Sequence, residues 1–365
     1  MTIRVSDIIF EIEQFAPTAY QESYDNAGLI VGNQSDICTG VLFTLDITEQ
    51  VIDEAIQNNC NLIIAHHPIL FTPIKRLTGK NYVERCVIKA IKNNVHLYAA
   101  HTNADNVITG VNEEMARRLE LKNIEILLPK NRILKKIVTF VPASHLEQVQ
   151  KALFDAGCGH IGNYDSCSFY AEGKGTFRGN ENTNPFLGEK GKLSVEPEIR
   201  IETIFESHKE NQVIEALLNA HPYEEVAYDI YLLENKHPRV GSGMIGELEY
   251  EMDVKTFLQK VKNTFPETII RYTPYDKSIK KVALCGGSGS FLLPYAIQKG
   301  SDVFISSDFK YHQFFDAENK IMIVDIGHFE AEQFTPQIFY RIVKNKFPNF
   351  VALLSKINTN PIKYL

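Results

Sequence analysis

A chain of 365 residues with 44% hydrophobic and 23% charged content has globular composition and exceeds what one hydrophobic core usually covers, so two domains are expected. Its formal charge of −7, from 38 basic and 45 acidic residues, speaks against a general nucleic-acid or membrane-surface binder. No apolar run reaches the roughly 18 residues of a membrane span, the start MTIRVSDIIFEIEQFAP lacks the pattern of a signal peptide, and the six cysteines form no CxxC pair, so a cytoplasmic protein with reduced thiols is expected.

Short β-branched runs at 41–45 and 62–65 flank an amphipathic stretch at 49–57, and the rhythm continues through a helix near 84–92, a strand at 95–99 and a helix opening near Val111. This βαβ alternation predicts an α/β fold with mostly parallel sheets, in which ligands gather beyond the carboxyl ends of strands. Two histidines, His66 and His67, follow the strand at 62–65, and Pro68 ends any helical continuation. Adjacent side chains in extended backbone diverge, which suits two ions better than one, although a polar loop pair is an equally good reading of His-His alone. The next strand runs into His101 and Asp105. Asp105 offers a carboxylate to a nitrogen-and-oxygen coordination sphere; His101 is either a ligand or an orienting neighbour of one.

From 131 to 236 the character changes to strand, helix, strand, twice over. Ser144-His-Leu-Glu147 and Ser207-His-Lys-Glu210 both read as capping boxes, followed by Val149, Ala152, Leu153 and Val213, Ala216, Leu217 at matching helical spacing. A duplicated ferredoxin-like α+β insert is predicted. Three segments result: 1–130 and 237–365 as two similar α/β lobes of one discontinuous domain, with 131–236 inserted between them. The glycine-rich 239–246 provides the return.

The last 85 or so residues repeat the α/β rhythm, with strands at 281–285, 302–306 and 321–326 and helices after Phe291 and Lys310. Cys285-Gly-Gly-Ser-Gly-Ser290 joins a strand to a helix and is either a phosphate cradle or a tight structural turn; no Gly-Lys-Ser/Thr follows, so it is not a Walker loop. Asp308, Lys310 and His312 fall where the first lobe has its paired histidines and are candidates for lining the cleft. His328 and Glu332 lie four residues apart after the strand at 321–326, on one helical face, whereas Glu330 is offset and faces elsewhere. Each of the three segments places histidines or carboxylates at a strand-to-helix junction. A set of five, His66, His67, Asp105, His328 and Glu332, suits two borderline divalent ions per subunit: zinc, with iron or manganese as alternatives.

The runs Tyr24-Asp-Asn-Ala-Gly28, Leu45-Asp46, His66-His-Pro68, His101-Thr-Asn-Ala-Asp105, Cys285-Gly-Gly-Ser-Gly289, Lys310-Tyr-His312 and Gly327 through Glu332 together resemble the Nif-three-like dinuclear metal-centre family over nearly the whole chain. Bacterial members are often labelled GTP cyclohydrolase 1 type 2 homologues. The resemblance implies His66, His67, Asp105, His328 and Glu332 as metal ligands, Glu332 as the bridge, and His101 close by, with Glu332 and His101 as the catalytic pair. It further implies a toroidal homohexamer and a PII- or CutA-like insert. Tyr24 departs from a Trp common before Asp-Asn, and Ser306-Ser307 from a usual Thr-Gly.

A dinuclear site favours hydrolysis, and a metal-dependent hydrolase acting on a nucleotide or phosphate-bearing small molecule is the first expectation, with GTP cyclohydrolase its specific form. The competing one is a non-enzymatic metal sensor or scaffold whose insert binds a small regulatory ligand. DNA binding through a toroid is disfavoured by the acidic charge.

Overall fold

The structure, a computed structural model, describes residues 2–364. The chain falls into two compact units: one runs up to Pro129 and resumes at Arg239, and the other is Lys130–Pro238.

In the first unit, α1 (Val5–Phe15) and β1 (Gly28–Val31) lead into β2 (Val41–Thr44), α2 (Glu49–Gln57), β3 (Leu62–Ala65), α3 (Tyr82–Lys92) and β4 (His96–Ala99). Every residue of β2, β3 and β4 is buried, as expected of parallel strands covered on both faces. The helices start where side chains cap them. Thr48 accepts from the Val51 amide, and Asn81 accepts from the Glu84 amide, which sets the start of α3 at Tyr82. Both then bury one stripe, Val51, Ile52 and Ala55 in α2 and Cys86, Val87 and Ala90 in α3, against Leu42, Ile63 and Leu97 of the sheet. The short α4 (Thr102–Asn106), α5 (Val111–Arg118) and β5 (Lys122–Pro129) complete this stretch.

The second unit contains β6 (Leu134–Val141), α6 (Leu146–Asp155), β7 (Ser168–Phe177), β8 (Ser194–Glu206), α7 (Glu210–Ala220) and β9 (Tyr228–Leu233). Its sheet is antiparallel throughout, in the order β7-β8-β6-β9. Val149 and Leu153 of α6 and Val213 and Leu217 of α7 pack on Ile137, Val141, Ile201 and Phe205. The predicted capping boxes do not form. Ala143–His145 and Ser207–Lys209 wind instead as 3₁₀ turns, and neither serine caps the helix that follows. In the first, the turn's own bond from Leu146 N to Ala143 O occupies an amide at the helix start, and the Ser144 hydroxyl sits 2.9 Å from His145 Nδ1; in the second, Glu210 N bonds Ser207 O.

The first unit resumes with β10 (Gly241–Met252), α8 (Val254–Thr264), β11 (Arg271–Tyr272), β12 (Ile279–Ser288), α9 (Leu293–Gln298), β13 (Val303–Ser307), β14 (Met322–Asp325), α10 (His328–Glu332), α11 (Thr335–Lys346) and β15 (Ala352–Leu354). β15 returns to β2, giving a first sheet of order β1-β4-β3-β2-β15 that is parallel apart from β1. The second sheet, β11-β14-β13-β12-β10-β5, corrects the expectation of mostly parallel pairing. Only β12-β13 and β13-β14 are parallel, because β10 lies antiparallel to both β5 and β12, and β11 is an antiparallel edge on β14. The segment after Lys310 is a 3₁₀ helix, Tyr311–Ala317, rather than an α-helix. Among the described residues, no helix is long and apolar enough to cross a membrane.

Candidate metal centre

The buried strand β3 delivers the paired histidines. Its hydrogen-bond ladder continues one step past the strand, with His66 N donating to Thr44 O and His67 N to Leu45 O, so both imidazoles are fixed at the sheet's carboxyl edge. His101 follows β4 and is held by its own amide bond to Asn103 Oδ1 at 2.8 Å. Asp105 lies one helical turn on in α4, its amide bonded to His101 O. From the second sheet, β14 ends at Asp325 and Gly327 takes φ +87°, where a side chain would collide with the Glu330 carboxylate. That turn launches α10, whose five residues carry His328 and Glu332 on one face. Glu330 faces elsewhere, accepting from Asn360 Nδ2 at 3.0 Å.

These residues converge. His66 Nε2 is 3.7 Å from both Asp105 Oδ1 and Glu332 Oε1, while His67 Nε2 and His328 Nε2 lie 3.0 and 3.1 Å from Glu332 Oε2. The His101 ring centroid is 5.2 Å from that of His66 and 5.4 Å from that of His67. The adjacent histidines therefore diverge onto the two different oxygens of one carboxylate.

All four Nδ1 atoms face oxygen acceptors. His66 donates to Ala100 O at 2.9 Å, His67 to Asp46 Oδ1 at 2.7 Å, His101 to Asp25 Oδ1 at 2.8 Å and His328 to Asp308 Oδ2 at 2.6 Å. With Nδ1 tied to an oxygen acceptor, Nε2 is the atom each ring can offer a metal ion, the arrangement that metal-binding histidines adopt. His67 Nε2 and His328 Nε2 stand 3.2 Å apart, close enough to share a proton or to face one cation. His66 Nε2, Asp105 Oδ1 and Glu332 Oε2 are buried without a well-formed hydrogen bond. A buried polar atom left unpaired is costly, so these three atoms mark where a metal ion fits. Three overlapping triads, His66–His67–His101, His67–His328–Glu332 and His66–Asp105–Glu332, each bring donor atoms within 4.8 Å of one another.

The titration of the groups tells the same story. Coulombic attraction to Glu332, aided by Asp308 and opposed by burial, lifts His328 to about 11. Burial pulls His67 down, but its bonds to Asp46 and Glu332 outweigh this and lift it to about 9. Burial drives the fully enclosed His66 down and keeps it neutral. Burial and the nearby Glu332 push Asp105 well up; Glu332 itself, against its burial, is held well down by His328 and His66. Without an ion, protons supply the positive charge that the carboxylates demand.

Several supporting residues had no assigned role in the sequence. Asp25 and Asp46 lie within the runs that carry the family resemblance, and the structure makes them the anchors of His101 and His67. Despite burial, its bonds to His101 and Thr102 hold Asp25 at about 2. Asn112 joins two segments, donating to Asp105 O at 2.9 Å and accepting from Gly286 N at 2.8 Å. Of the three predicted cleft residues, Asp308 anchors His328, whereas Lys310 and His312 do not line the cavity. In the glycine-rich turn, internal bonds favour the tight-turn reading over a phosphate cradle: Gly286 N is taken by Asn112, Gly289 N by Ser306 Oγ at 3.0 Å, and Gly287 O accepts from Ser306 and Ser307. Cys285 lies beside the cluster, its thiol pushed well up by burial and by Asp105 and Glu332. No disulfide links any of the cysteines, five of which are buried.

Fold and site together define an α/β protein with a buried histidine–carboxylate cluster able to hold a metal ion. The sequence profile described as Duf34/NIF3 (NGG1p interacting factor 3) matches residues 3–361, and the chain belongs to that family. A Halalkalibacterium halodurans protein named GTP cyclohydrolase 1 type 2 homolog is 39% identical over 364 residues, 98% of each chain. Its Bacillus subtilis namesake is 38% identical over 371 residues, covering 100% of this chain and 99% of that one. The crystal structure of a Bacillus cereus protein related to NIF3 superposes with a TM-score of 0.87 at 39% identity, covering both chains fully.

Proposed function

We propose that the cluster is a dinuclear metal centre and that the protein is a metal-dependent hydrolase acting on a nucleotide or other phosphate-bearing substrate. The observation that supports this is the division of Glu332: His66, which also faces Asp105, lies nearest Oε1, and His67 and His328 lie nearest Oε2. His66, His67, Asp105, His328 and Glu332 would hold two divalent ions, with Glu332 shared between them; zinc is the first candidate and iron or manganese the alternatives, as the mixed nitrogen and oxygen donors suit. Bound divalent ions supply Lewis acidity, polarising a substrate oxygen and making water acidic near neutral pH. The chain's own residues orient and carry protons. Asp46, Asp308 and the Ala100 carbonyl fix the tautomers of His67, His328 and His66. His101, its Nδ1 bonded to Asp25, keeps its remaining ring nitrogen to take up or give a proton at the cluster.

The relatives' name suggests GTP as the specific substrate, opened at its imidazole ring with C8 leaving as formate. Elemental analysis of purified protein, followed by formate release from GTP, tests both levels. We expect two ions per chain and turnover abolished in His66→Ala; formate at background in wild type and variant alike rules out the GTP form. The strand order of Lys130–Pro238 supports a ferredoxin-like, PII- or CutA-type insert, and the family supports a homohexamer, which light scattering of the purified protein tests.

A further inference from the structure

The cluster opens into a cavity of about 860 Å³, within the range of small-molecule sites. Four large aromatic side chains at its walls, Tyr24, Phe71, Tyr82 and Phe291, are each more than half exposed, and the half-buried Phe329 joins them. Aromatic surface left open around one cavity is costly unless a ligand covers it. Phe71 stands edge-on to His101, ring centroids 5.6 Å apart, so the aromatic wall runs directly into the metal cluster.

The polar walls are largely spent. Asn106 donates to Tyr20 O and Glu22, Asn112 bridges Asp105 and Gly286, Thr359 donates to Asp46, and Asn360 donates to Glu330. Two amides of the glycine-rich turn point inward to Asn112 and Ser306. Among the described residues lining the cavity there is no Lys or Arg, whereas Glu22, Asp46, Asp105 and Glu332 all contribute carboxylates. A polyphosphate chain is normally gripped by Arg or Lys side chains, and none lines this cavity.

We infer that this cavity selects its substrate through a flat, uncharged heterocyclic ring, stacked among the aromatic side chains with its polar edge at the cluster. It gives the phosphates of a nucleotide no cationic hold from the chain. This rests on the hydrolase reading above and narrows it to the ring-bearing part of the substrate. Guanosine and guanosine triphosphate are the matched probes, titrated calorimetrically into the metal-loaded, native assembly at physiological ionic strength, with product release followed in parallel. Guanosine is expected to bind at least as tightly as the triphosphate. Phe71→Leu and Tyr24→Leu, with melting temperature and metal per chain checked against wild type, are each expected to weaken guanosine binding on the order of tenfold. Triphosphate binding more than about tenfold tighter than guanosine, or guanosine affinity unmoved by both variants, overturns the inference even where hydrolysis is seen. Guanosine binding that the variants weaken, with neither compound hydrolysed, upholds the inference and removes the hydrolase reading instead. If neither compound binds, the inference falls whatever the hydrolysis arm reports.

Discussion

Gly287 holds φ +58°, and a Cβ there would run into Glu332 Oε1 and stand 3.3 Å from His328 Cε1. Only glycine combines that backbone conformation with so close an approach to the cluster. Gly287→Ala is therefore expected to add about 1 kcal/mol of backbone strain and to displace the Glu332 carboxylate. Metal per chain, measured by elemental analysis, should drop more sharply than the melting temperature does. Asp46→Ala probes a different dependence, since Asp46 touches His67 but belongs to no donor triad. Loss of such an anchor commonly lowers metal affinity about 10–100-fold; competition with a chromogenic chelator measures it, and wild-type affinity in the variant would mean that His67 orients itself. At this scale the histidines and carboxylates at the strand ends were legible from sequence, because strand-to-helix junctions in α/β folds converge on one edge. The anchors were not. Asp25 reaches His101 across 76 residues and Asp308 reaches His328 across 20, and no local pattern encodes which carboxylate meets which imidazole.

Between elements, α5 and α11 are joined through one carboxylate. Glu114, 2% exposed, accepts from Arg117 and Arg118 on its own helix and from Arg341 of α11 at 2.6 Å; Arg118 also lies over the Phe334 ring and donates to Gln337. Burial would raise the carboxyl, but the arginines hold it below its ordinary 4.5. Glu114→Gln leaves three guanidinium groups without their counter-charge. Because those groups are partly solvated, we expect a loss of about 1–3 kcal/mol, less than for a fully enclosed pair. The sign of the pH dependence follows from the depressed value. The stabilisation is fully present above about pH 4.5 and is lost as pH falls through the folded-state value, so wild type and variant should converge in urea midpoint below that pH. A gap that persists undiminished in acid would locate the effect in packing instead. Periodicity revealed the helices and the buried parallel strands, since a 3.6-residue stripe and an all-apolar run are local signals. It failed where partners are distant: the antiparallel pairing of β10 with β5 and β12 is decided by which strands meet, and the two apparent capping boxes gave way to 3₁₀ turns whose own backbone bonds engage the first amides of each helix.

For the molecule as a whole, the consequential feature is where the chain leaves the first unit and where it re-enters. β5 ends at Pro129 and β10 begins at Gly241, and these two residues are direct partners in an antiparallel pair, Gly241 with Pro129 and Ser242 with Leu128. Such partners sit roughly 5 Å apart, so the entire Lys130–Pro238 unit occupies the position of a hairpin loop. All residues of the candidate metal centre and its anchors lie outside it. Replacing Lys130–Pro238 with Asn-Gly leaves Arg239 and Val240 to complete a short loop, a length that readily closes antiparallel strands. The β5-β10 register, pinned by further pairs at Met244 with Ile126 and Ile245 with Glu125, does not depend on the excised segment. The shortened chain is therefore expected to fold, to melt cooperatively, and to bind metal with the stoichiometry of the full-length protein. Wild-type metal content in that variant would assign the centre wholly to the discontinuous unit. Lost metal binding in a chain that still melts cooperatively would mean that the second unit shapes the site, despite contributing none of its donors.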